Sequence, residues 1–82
     1  MQTYLKKVSR EAVCFAATRL ILAEGCATAL YVTMMLDQQG YSTRQSDVSA
    51  LLFQVAEQAG WQVEDNGFFR VYYFPTYRPS LT

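Results

Sequence analysis

The chain contains no histidine and only two cysteines, and charged residues make up 17% of its 82 positions. Without imidazole there is no Ser-His-Asp triad, no Cys-His dyad and no histidine metal ligand. Cys14 and Cys26 are too few for a zinc site and do not form a C-x-x-C pair. Two small buried thiols in a reducing cytosol is the preferred reading, with a disulfide between them as the alternative. Long apolar runs are missing as well. Ala12–Ala17 is far short of the roughly 20 residues that span a bilayer. The basic start Met1–Lys7 is followed by Glu11 and Arg19, not by a secretory leader. An excess of either charge is also absent: seven basic residues balance seven acidic ones. Nothing global draws the chain to nucleic acid, membrane or an acidic substrate. A cytoplasmic protein with no cofactor, no metal and no membrane contact is expected.

What is there is apolar. Hydrophobic residues reach 51% and aromatics 15%, which excludes intrinsic disorder. A domain this small buries only about 60–65% of its unfolded surface, so apolar surface is left for a partner or a second copy. The chain reads as one domain over 1–82, with three helices in 9–60, a β-hairpin in 61–74 and a tail in 75–82.

Ser9 is a helix N-cap, Glu11 suits the positive end of the dipole, and Gly25 is a stop. The helix between them is apolar nearly all round, which predicts a homodimer interface on Cys14, Phe15, Ile21 and Leu22. Thr28 and Gly40 bracket a second helix, whose Tyr31 and Met34-Met35 could form an adaptable contact patch. Thr43 caps a third, running to Gly60 with Val48, Leu51, Leu52, Val55, Ala56 and Ala59 on one stripe. Phe53 falls off that stripe, beside Ser46 and Ser49. After Gly60 the period becomes alternating. A three-residue loop, Asp65-Asn66-Gly67, with glycine last pairs Val63 with Phe69 and Trp61 with Val71. That register points Tyr72 and Phe74 outward.

Helix, helix, tight turn, helix, hairpin is an α+β order that resembles the winged helix-turn-helix superfamily over Thr28–Phe74. Thr43-Arg44-Gln45-Ser46-Asp47-Val48-Ser49 looks like its recognition helix and Trp61–Phe74 like its wing. The resemblance implies a transcriptional regulator that binds DNA as a homodimer, with the third helix in the major groove. Arg44 and Gln45 would read base edges, with Ser46 and Ser49 short enough for close approach. Thr43, Arg70 and Arg78 would contact phosphates. The alternative is a protein-interaction module, an inhibitor or assembly factor, that does not bind DNA and uses Phe53, Tyr72 and Phe74. Neutral charge and Asp47 favour it. No spacing assembles a nucleophile, base and orienting group, so an enzyme is not expected.

Overall fold

A computed structural model describes residues 6–75 of the chain; the expectation for Arg78 lies outside them. Ser9 and Thr28 open the first two helices by the same device. The Ser9 hydroxyl accepts from the Ala12 N–H, and the Thr28 hydroxyl from the Tyr31 N–H, each at 3.2 Å. Each satisfies an amide donor that a helix leaves unpaired at its start. Helix α1 runs Arg10–Glu24 and α2 runs Ala29–Gln38. Gly25 stops α1 at φ 91°, with its N–H bonded to the Ile21 carbonyl at 2.8 Å. Glycine enters this left-handed conformation without the Cβ penalty.

Helix α3, Gln45–Ala59, begins differently from the sequence expectation. Thr43 is not its cap. Arg44 occupies the N-cap with no side-chain hydrogen bond, and Thr43 Oγ1 is buried without a partner among the described residues. The reason lies just upstream. Strand β1 (Lys6–Lys7) pairs in parallel with β2 (Tyr41–Ser42), and the chain stays extended through Arg44 at φ −125°.

The three helices enclose one core. Val13, Ala16, Ala17 and Ile21 come from α1, Val32 and Leu36 from α2, and Val48, Leu52, Val55 and Ala56 from α3. Full burial of each Val, Ile or Leu contributes about 1.5–3 kcal/mol. This corrects part of the expected interface. Ile21 lies one turn beyond Ala17 on the arc facing α2 and α3, so it is a core residue, and Cys14 is half-buried against the core. Phe15 and Leu22 are the open pair.

Three helices are followed by a hairpin, as the element order predicts. Strand β3 (Gln62–Asp65) pairs antiparallel with β4 (Arg70–Tyr73), with Val63 opposite Tyr72. The expected turn at Asp65-Asn66-Gly67 does not form. Gly67 has φ 93° and no non-glycine residue among those described has positive φ. The register, continued by the Asn66 N–H bond to the Phe69 carbonyl at 3.2 Å, centres the turn on Gly67-Phe68 with Gly67 first. Side chains fix it there: Asp65 Oδ1 accepts from the Gly67 N–H at 2.9 Å. Asn66 Oδ1 accepts from the N–H groups of Phe68 and Phe69 at 2.9 and 3.0 Å. The partner of Val63 thus moves from Phe69 to Tyr72, an odd shift that exchanges the faces of β4.

Tyr72 and Phe74 consequently turn inward, against expectation. Tyr72 is 1% exposed and is the largest fully buried side chain. Phe74 packs against the core beside Trp61, with ring centroids 5.7 Å apart. Ala27 and Tyr72 exchange two backbone hydrogen bonds of 2.8 Å, joining the hairpin to the α1–α2 connection. Cys14 and Cys26 are free thiols, both half-buried where burial was expected. No helix among the described residues is long and apolar enough to cross a membrane.

Candidate functional site

The hairpin and the start of α2 together line a cleft of about 590 Å³. Thr28, Ala29, Leu30 and Tyr31 at the start of α2 form one wall, Phe68, Phe69 and Arg70 the other, and Gln45 and Ser49 of α3 also line it. Its position follows from the caps and the turn. Thr28 starts α2 directly after the Ala27 bridge, so the first turn of that helix lies alongside β4. Glycine at the first turn position puts Phe68 at the hairpin tip, where it is 92% exposed. Leu30, Tyr31 and Phe69 are also exposed. Large apolar groups converging on a concave surface in this way are uncommon without a partner.

Beside these side chains lies an open length of main chain. Both polar groups of the Tyr72 backbone are directed at Ala27, hence away from β3. Alternate residues of an antiparallel strand aim their N–H and C=O the same way. Those of Arg70 therefore also point away from β3, toward the start of α2. The ladder begun by Ala27 ends after one pair because the chain turns into α2 at Ala29.

Arg70 is engaged by the fold. Its Nε lies 3.8 Å from Asp65 Oδ2 and its guanidinium 4.8 Å from the centre of the Phe53 ring. Both members of the ion pair are substantially solvated, so the pair is worth little energetically. It places a carboxylate beside the arginine expected to contact phosphate. Phe53 is exposed on the outer side of α3, as its position off the core stripe predicts. Arg44, Gln45 and Ser46 are exposed at the start of α3, whereas Ser49 is half-buried and lines the cleft. Asp47 and Asp65 balance Arg44 and Arg70 in this region, leaving no net positive charge among those four. On the outer face of the hairpin, the Tyr73 phenol is raised above its ordinary value by desolvation and then by the charge of Glu64.

Leu30, Phe68 and Phe69 are cleft residues that the sequence expectation does not include. For the two phenylalanines the signal is their place directly after a turn glycine, because a glycine-first turn forces one of them into solvent; Leu30 has no comparable signal. No group of three or more potential metal ligands occurs among the described residues. No family model matches the chain, and neither a curated protein nor a solved structure matches it.

Proposed function

We propose that the chain is a winged-helix-like protein-interaction module without catalytic activity, and that its cleft receives an extended segment of a partner protein. The observation that carries this reading is the open edge of β4 at Arg70, flanked by Tyr31, Phe68 and Phe69. An added strand would satisfy the Arg70 N–H and C=O, and its alternate side chains would meet the aromatic walls. Main-chain pairing supplies affinity in such complexes, and the pockets supply choice of sequence. Among the lining residues the Asp65 carboxylate is already held by Arg70 and the Gly67 amide, which suits binding better than proton transfer. A reducing, cytoplasmic setting fits the free thiols of Cys14 and Cys26.

A second reading, DNA recognition, is favoured by the exposure of Arg44, Gln45 and Ser46 at the start of α3. It is weakened by Asp47 and by the paired state of Arg70, since phosphate neutralisation dominates affinity for DNA.

One experiment separates the two. Random peptides displayed on phage should yield binders with apolar residues at alternating positions. Tyr31→Ser and Phe69→Ser should each weaken those binders by about tenfold or more, a cost of about 1.4 kcal/mol. If no peptides are enriched, and fluorescent duplex DNA binds with an affinity that drops steeply with salt and with Arg44→Ala, the DNA reading replaces the peptide one.

A further inference from the structure

Helix α1 carries a second apolar surface, separate from the cleft. Glu11, Phe15, Thr18 and Leu22 recur at intervals that place them on one strip. The strip faces away from the arc of Val13, Ala16 and Ala17 that enters the core. Phe15 is 61% exposed and Leu22 72%. The Arg19 guanidinium lies over the Phe15 ring at 5.6 Å, which sets a cation along the edge of the strip. Glu11 supplies an anion about 12 Å away along the helix axis.

We propose that this strip is the contact between two copies of the chain, with α1 packed antiparallel on α1 about a two-fold axis near Phe15 and Thr18. Charge complementarity selects both the occupant and its direction. Antiparallel pairing brings Glu11 of each copy toward Arg19 of the other, and the two opposite-charge pairs bracket the two phenylalanines. Parallel pairing would set Glu11 against Glu11 and Arg19 against Arg19, and like charges at short range disfavour it. The patch is self-complementary, as a two-fold interface requires. Phe15 supplies the buried apolar area at the axis, and Leu22 extends it at each end, beside the start of the partner's α1. The charges supply direction more than affinity, because exposed ion pairs contribute little. This inference is independent of the cleft and its occupant.

Sedimentation equilibrium of the full chain, up to high micromolar concentration, tests it. The wild type should show a concentration-dependent dimer, and Phe15→Glu should abolish it. Glu11→Arg and Arg19→Glu should each weaken the dimer by about tenfold, because each breaks two symmetry-related pairs and creates two repulsions. The double reversal should restore affinity to within about threefold of wild type, since it re-forms both pairs with the signs exchanged. Circular dichroism should show the same helix content in every variant, these side chains all lying outside the core. A wild type that stays monomeric, or a dimer that survives Phe15→Glu, overturns the proposal. A double reversal as weak as the single variants overturns the antiparallel arrangement.

Discussion

Replacing Tyr72 with alanine should destabilise the chain by about 3–5 kcal/mol, the usual cost of removing a large aromatic ring from a closed core. A chain of this length has a total stability of about 4–12 kcal/mol, so this one change removes from about a quarter to all of it. Tyr72 is the largest of the fully buried side chains, and its hydroxyl has no hydrogen-bond partner among the described residues. Two opposite consequences follow from one residue. The ring fills the core, while the hydroxyl is a desolvated polar group with no partner among the described residues. Tyr72→Phe should therefore leave stability unchanged or raise it by up to about 1 kcal/mol. Urea unfolding followed by tryptophan fluorescence measures both variants. The same pair tests the register of the hairpin. Were Val63 opposite Phe69, Tyr72 would face solvent and its alanine variant would fall within about 0.5 kcal/mol of wild type.

Leu52→Ala should cost about 2–5 kcal/mol, with the value set by how far the surrounding side chains relax into the space left. Leu52 is fully buried at the middle of α3, the helix that packs on both α1 and α2. Its neighbour in sequence is the internal control. Phe53 is partly exposed and carries the Arg70 guanidinium over its ring. Phe53→Ala should lose only that contact and some exposed area, below about 1 kcal/mol. Denaturant midpoints with unchanged m-values would confirm that both effects arise in the folded state. Equal losses at the two positions would contradict the burial pattern of α3.

The helices were legible in the sequence because each signal is local and physically strong. Ser9 and Thr28 cap through contacts with amides three residues away. Gly25 and Gly60 stop their helices in a conformation that other residues avoid. The apolar stripe of α3 also identifies Phe53 as an outward residue. The hairpin was legible as an element but not in register. Strand β4 is apolar on both faces, with Val71 and Tyr73 on one and Tyr72 and Phe74 on the other, so alternation cannot choose between them. The choice falls to the Asp65 and Asn66 side chains, whose hydrogen bonds place Gly67 first in the turn. The cleft was missed for the same reason, since its hairpin wall exists only in that register. The Thr43 cap failed for a different reason. Its competitor is the pairing of β1 with β2, two residues on each side, too short to carry any periodicity.

The bridge between Ala27 and Tyr72 has a dynamic consequence. Both residues are almost completely buried, and their paired amides join chain segments that are distant in sequence. Peeling the hairpin from the helices must expose Tyr72 and break the α1–α2 connection in the same event. Segments coupled in this way open together as one cooperative unit, and the amides of Ala27 and Tyr72 should exchange with solvent deuterium only by way of global unfolding. The β1–β2 pair, only two residues long and with Lys7 and Ser42 exposed, belongs to a less stable unit that opens far more often. At Tyr72 the inner end of the β4 edge is thus as long-lived as the core itself, whereas the exposed tip at Phe68 and Phe69, beyond the bridge, opens separately.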